Sequence, residues 1–370
     1  MNASIPRRVA LVLGGGGLKG FAHIGVLRAL DERGIRPCVY AGTSIGSLIA
    51  AARVGGMSMG EMADRALTLR RRDLFRINHM GMLLERMHSP SLYLEEPLRE
   101  LCAAVSPAGT FDDLAMPLLV NTVDVERGTR LVWGLPGLRD VPVVDAIYAS
   151  CALPGFFPPG YVDGRTCIDG GTIDNLPAAI AGLGVDAVIA VDVGSSELDR
   201  LHDISTQGFA AIYMRAATVM MHALQQHQLH DWQGPPMLLV RPRVGHRHWF
   251  SFANTGEMID AGHEAAATAL DQIGDALLSP SGVYPRRMVS LAVDRDRCIG
   301  CGTCVALAPR LMAQHADGKA YVMSSPVLWS PADGEFVQHC PTEAISVQSL
   351  DGTRRTTRPI TEPTLDAADD

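Results

Sequence analysis

Two short apolar runs each end in glycine and lead straight into a helical pattern, and no other feature of the chain limits its fold as much. Residues 9–13 (VALVL) run into Gly14-Gly15-Gly16-Gly17, and residues 18–33 then carry apolar side chains at helical spacing up to Gly34. Residues 38–43 form a second short run that reaches Gly42-Thr43-Ser44-Ile45-Gly46, with a helical stretch over 45–54. Further strands are expected at 117–125, 129–133 and 187–193, and helices at 91–105, 143–151, 173–182, 205–230 and 257–278. Strands alternating with helices predict an α/β fold whose mostly parallel sheet is covered on both faces. Aromatic residues are only 5% of the chain and glycines number 37, which favours close helix–sheet packing. A net charge of −8 speaks against a nucleic-acid partner.

The loop Gly14 to Gly20 (GGGGLKG) admits three readings. Gly15, Gly17 and Gly20 match the dinucleotide fingerprint, but the acidic residue required about twenty positions later is replaced by Tyr40 and Ala41. A phosphate-binding loop needs Lys followed by Ser or Thr after its last glycine, and Phe21 stands there. The third reading is an oxyanion hole: successive glycines let neighbouring N–H groups of Gly15, Gly16 and Gly17 point at one spot, beside a helix N-terminus. Gly42 to Gly46 is G-x-S-x-G, which puts Ser44 on a sharp strand-to-helix turn at the carboxyl end of the sheet, as a nucleophile requires. A serine needs a base. None of the twelve histidines sits in a motif, whereas Asp169 in Ile168-Asp169-Gly170-Gly171 is a carboxylate on a turn that can approach another turn closely.

The order GGGGLKG, GTSIG, DGG resembles the patatin-like phospholipase family. The stretch Ala149 to Pro159 (ASCALPGFFPP), Asn175-Leu176-Pro177 and Asn121-Thr122-Val123-Asp124 also fit, so that the resemblance spans roughly residues 7–280. It implies a modified α/β-hydrolase sandwich, a Ser–Asp dyad of Ser44 and Asp169, an oxyanion loop of Gly15, Gly16 and Gly17 with Lys19 at its basic position, and hydrolysis of lipid acyl esters, of the phospholipase A or lysophospholipase type. Gly14 stands where plant members tend to carry Asp, and His23 fits bacterial members as a helix histidine packed beside the loop.

Cys298, Cys301 and Cys304 form C-x2-C-x2-C, and Cys340-Pro341 follows. Three thiolates at this spacing, closed by a distant fourth, can wrap one iron–sulfur cluster. Zinc is the second reading. Residues 288–348 resemble a bacterial-type, α+β ferredoxin with a single cluster, which implies [4Fe–4S] on all four cysteines, with [3Fe–4S] as the other cluster form. The cluster's role is open between electron transfer with a redox partner, regulation and structural support. A chain whose patatin-like part only scaffolds an electron-transfer protein is the alternative function.

Residues 279–287 (SPSGVYPRR) mark the boundary between an acyl hydrolase domain at 7–280 and the cysteine domain at 288–350, and 351–370 read as a disordered tail. Residues 57–88 hold six methionines and six arginines. They read either as a lid touching an anionic lipid surface or as an amphipathic helical cover over the pocket. No run of 18 apolar residues occurs, and Met1 to Leu13 lacks the length and cleavage pattern of an export signal. A cytoplasmic location with peripheral contact at the inner membrane face is therefore expected.

Overall fold

A computed structural model describes residues 8–79, 91–194, 204–244, 249–272, 282–333, 336–337 and 339–350. The chain divides at Pro285/Arg286 into two compact units.

In the first unit β1 (Val9–Leu13), α1 (Ala22–Glu32), β2 (Val39–Thr43) and α2 (Ile45–Val54) follow the expected strand–helix alternation. α3 (Met59–Thr68) and α4 (Arg71–Leu74) come next, then α5 (Glu95–Val105), β3 (Leu118–Asp124), β4 (Thr129–Trp133) and α6 (Val143–Cys151). β5 (Gly160–Val162), β6 (Arg165–Asp169), α7 (Ala178–Ala181), β7 (Ala187–Val191), α8 (Gly208–His230), β8 (Met237–Val240), α9 (Thr255–Gln272) and β9 (Val283–Tyr284) complete the unit. The sheet order is β5-β6-β3-β2-β1-β7-β8-β9, with β4 also paired to β3. From β3 to β9 along this order all neighbours are parallel, and β4, β5 and β6 make the antiparallel margin. β1, β3, β7 and β8 are buried along their whole length, as strands covered on both faces must be. α1 and α9 pack against each other so closely that a Cβ on Gly25 would lie 1.8 Å from Ile259 O, and one on Gly262 1.8 Å from Ala22 O.

Several elements differ from expectation. The helix expected from 91 begins at Glu95, because Ser91 bridges Gly155 and Tyr93 bridges Ile77. The helix expected over 173–182 shrinks to α7, since Asp174 and Asn175 turn back on the core and Pro177 precedes the first helical residue. α9 is described to Gln272, so the expected stretch to 278 lies outside the described residues. β5, β6, β8 and β9 were not anticipated; β9 adds an edge to the large sheet beyond residue 280. Within 57–88, a capping box of Ser58 and Glu61 starts α3. Met62 and Ala66 on α3 and Leu74 on α4 are buried. The stretch 80–90 and the tail 351–370 lie outside the described residues.

In the second unit, β10 (Arg287–Val293) pairs antiparallel with β13 (Val327–Trp329) and β14 (Ile345–Ser349). α10 (Thr303–Leu307) and the hairpin of β11 (Met312–Gln314) and β12 (Ala320–Val322) complete a small core that includes Val289, Leu291, Met312, Phe336 and Ile345.

Candidate active site and cysteine centre

Ser44 sits between β2 and α2 with φ 55° and ψ −130°, a conformation costly for any residue with a Cβ. The turn is possible only with glycines on either side. A Cβ on Gly42 would lie 2.5 Å from the backbone of Gly46 and Ser47, and one on Gly46 2.0 Å from Leu13 O. Two hydroxyls hold the turn. Ser44 N donates to Ser150 Oγ at 2.9 Å, whose own hydroxyl donates to Asn121 O at 2.7 Å, and Ser47 Oγ donates to Ser44 O at 2.6 Å.

Asp169 ends β6 opposite Thr122 of β3. Its N–H donates to Ala152 O at 3.1 Å, which places the ASCALPGFFPP stretch directly behind the carboxylate. Gly170 follows where a Cβ would meet Asn121 O at 2.4 Å. The Asp169 carboxylate accepts a hydrogen bond from Gly171 N at 2.8 Å, and the Ser44 hydroxyl lies near enough to favour its charged form. It is only 4% exposed, and burial raises its pKa to about 6 against the opposing effect of those two groups.

The glycine loop lies beside Ser44. Gly14 N donates to Val191 O and Gly15 N to Asn175 O, so Gly15, expected to face the site, has its N–H committed elsewhere. Leu18 N donates to Trp249 O, while Gly16 N and Gly17 N meet no acceptor among the described residues. Gly17 has φ +58°, and a Cβ there would lie 2.4 Å from Trp249 O. Lys19 is buried and its Nζ donates to Gly194 O at 3.2 Å, tying the loop to the segment after β7. His23 is fully buried and its Nε2–H donates to Gly14 O at 2.8 Å, while its Nδ1 has no partner. Burial lowers its pKa to about 4, so it is a neutral brace for the loop.

Ser44, Asp169 and Gly17 open onto one cavity of about 930 Å³, the open solvent at its mouth included. Apart from Ser44, Asp169 and Arg65, the described lining is apolar or aromatic, with Phe75 ring-packed on Phe157 at 5.9 Å and on Phe250 at 5.0 Å. The Cys151 thiol also lines it. Interaction with the Cys102 thiol, then burial, push its pKa well above the usual thiol value, so it stays protonated at neutral pH.

Residues 11–181 match the family described as patatin-like phospholipase. The chain carries a patatin-like phospholipase domain. An uncharacterized NTE family protein of Mycobacterium tuberculosis is 35% identical over 204 residues, covering 55% of this chain and 54% of that protein. Human patatin-like phospholipase domain-containing protein 6 is 35% identical over 212 residues, covering 54% of this chain and 14% of the human one. Lysophospholipase nte1 of Aspergillus fumigatus is 32% identical over 215 residues, 56% of this chain and 14% of its own. The chain thus spans about half the length of the mycobacterial relative and far less of the other two. No described helix is long and apolar enough to cross a membrane.

Behind the patatin-like domain, residues 293–347 match the 4Fe-4S single cluster domain of ferredoxin I, so this part of the chain is a 4Fe-4S-type cluster-binding region. Cys298, Cys301, Cys304 and Cys340 line one hollow together with Gly300, Gly302, Ala320 and Ala344. Gly300 and Gly302 have φ +73° and +75°, bending the loop so that successive cysteines turn inward. Ala320 N donates to Cys298 Sγ at 3.4 Å and Ala344 N to Cys340 Sγ at 3.3 Å, the kind of bond that steadies thiolate charge. Gln314 Nε2 donates to Gly300 O and Gly318 O, and Lys319 Nζ to Cys298 O. Gln314 and Lys319 carry no motif signal, and only the folded hairpin brings them to the loop. Among the described residues no three His, Cys, Asp or Glu side chains are placed to hold a single metal ion.

Proposed function

We propose that this chain is a serine acyl hydrolase acting on lipid esters of the phospholipase A or lysophospholipase type, through a dyad of Ser44 and Asp169. The observation that carries the reading is the strained Ser44 placed with a buried carboxylate, Asp169, at the head of one apolar cavity. Asp169 takes the Ser44 proton as Oγ attacks the ester carbonyl. A pKa raised to about 6 makes the carboxylate a stronger base while leaving it ionised at neutral pH. The N–H groups of Gly16 and Gly17 receive the developing oxyanion, and the N-terminus of α2 adds its positive end. Gly15 shapes the loop: a Cβ there would lie 2.5 Å from Asn175 Oδ1. The leaving alcohol takes the proton, and water activated by Asp169 then frees the acyl group from Ser44. The names of the human and fungal relatives support a lipid substrate.

The proposed hydrolase domain covers residues 7–280 with β9 as its added edge, and the cluster domain residues 288–350. In the latter, Cys298, Cys301, Cys304 and Cys340 would hold one [4Fe–4S] cluster. Four cysteines around one hollow, in C-x2-C-x2-C spacing with a distant Cys-Pro, support a cluster over zinc. When bound, the cluster would supply one-electron redox chemistry and a covalent centre for a small core. The exposed arginines of 70–76 support peripheral contact with an anionic lipid surface.

Turnover of a nitrophenyl acyl ester tests the hydrolase reading. Ser44→Ala is expected to lower it to the background rate, and unchanged turnover overturns the proposal. Iron, sulfide and visible charge-transfer absorption of anaerobically purified protein test the cluster, and a colourless protein carrying zinc overturns it.

A further inference from the structure

The cavity has a direction as well as an apolar lining. Ile45, Leu48, Ile49 and Ala52 lie at i, i+3, i+4 and i+7 along one face of α2, and all four line it. Ser44 precedes the first of them, so the cavity begins at the nucleophile and follows the helix away from it. Leu98, Leu101 and Val105 line it from α5 with the same helical spacing. The two helices end together: a Cβ on Gly55, just past α2, would lie 3.3 Å from the ring of Pro107, just past α5. The helix ends thus meet beyond Ala52 and Val105, and Met57, whose N–H donates to Ala52 O at 3.0 Å, lines the cavity there.

We infer that α2 is a ruler for the acyl chain, and that the substrates are esters of straight, medium-length acyl groups. This inference rests on the acyl hydrolase reading above. Ala52 lies eight positions beyond Ser44, which at about 1.5 Å of rise per residue gives a channel of about 12 Å. A staggered hydrocarbon with C–C bonds near 1.5 Å advances about 1.3 Å per carbon, so the channel holds about nine carbons. Each methylene up to that length leaves water for an apolar wall. Longer chains have to displace Met57 or fold back towards the mouth. Ala52 is 2% exposed, and its small side chain leaves the last turn of α2 open to the acyl terminus. Met57, half-buried and unbranched, is the part of the end wall able to yield. None of Ala52, Met57 and Val105 touches Asp169 or the glycine loop in the hydrogen-bonded set, so they act on length and not on the chemical step.

The experiment is a kcat/KM profile on nitrophenyl esters from butyrate to palmitate in one fixed detergent. The wild-type optimum is expected at eight to ten carbons, with at least a fivefold fall by palmitate. Ala52→Phe is expected to lower the decanoate-to-butyrate ratio at least tenfold. Met57→Ala is expected to raise the palmitate-to-decanoate ratio several-fold, and it decides the matter if Ala52→Phe does not fold. A flat wild-type profile, or variants that lose rate equally at every length, overturns the ruler while leaving the hydrolase intact. Absence of Ser44-dependent hydrolysis of every ester overturns the hydrolase reading itself.

Discussion

Asp169 shows how one buried side chain ties function to stability. Its folded pKa of about 6 stands above the ordinary carboxylate value of 3.8, with burial as the largest cause. Well below 3.8 the carboxyl is neutral in both folded and unfolded chains and costs nothing. As pH rises from 4 to 6 the unfolded chain ionises first, and the folded state loses about 3 kcal/mol relative to it. Asp169→Asn is therefore expected to be inactive yet more stable than wild type at pH 8, with the difference vanishing well below pH 3.8, as read by melting temperature across pH. Activity runs the other way: kcat/KM is expected to fall about tenfold per unit below pH 6, where the base becomes protonated. His23 has the opposite linkage. Burial depresses its pKa to about 4, so its contribution is complete above 6.5 and is lost as pH falls towards 4. His23→Leu leaves Gly14 O without its donor. Steady-state kinetics are expected to show kcat down about tenfold with KM little changed, since the loop would hold the oxyanion donors less well. Ser44 and Asp169 were legible in the sequence because glycines flank them for steric reasons. Ser47 was not, and Ser150 and Asn175 stood only inside motifs of the resemblance without a role, because a hydroxyl or amide that pins a distant backbone group shows its partner only in the fold.

At the scale of elements, the turn between β2 and α2 is the least substitutable part of the molecule. Gly46→Ala puts a methyl group 2.0 Å from Leu13 O, in the backbone of the neighbouring strand. The expected cost is about 3 kcal/mol or more, measurable by urea denaturation, together with loss of activity; a wild-type midpoint contradicts the packing described. The strands β1, β2, β3 and β7, buried over all or nearly all of their length, announced themselves as short, largely apolar runs. β5 and β6 did not: GYV and RTCID are short, mix polar with apolar residues, and gain their strand character from pairing with β3 and each other. β8 is four residues long behind two prolines, too brief for a periodic signal. The methionine-rich stretch after α2 had two open readings. In its described part the apolar side of α3 and α4 meets the cavity, which is the covering role.

At the scale of the whole molecule, the proposed dyad, the glycine loop and the proposed acyl channel all lie in the first unit, and all four patterned cysteines lie in the second. The second unit has a small core in which two of the cysteines, Cys298 and Cys304, are themselves buried members. Replacing Cys304 by Ser is expected to abolish the visible absorption and lower the second unit's thermal transition, because a small core without its cluster loses its main cross-link. Ser44-dependent hydrolysis is expected to persist in that variant, and its parallel loss contradicts the assignment of the chemistry to the first unit alone. The central claim concerns a single activated serine, and covalent labelling reads it directly. Native protein treated with a fluorophosphonate is expected to gain one adduct by intact mass, mapped to Ser44, with labelling absent in Ser44→Ala and strongly slowed in Asp169→Asn. An adduct on another residue, or undiminished labelling of Ser44→Ala, contradicts the account.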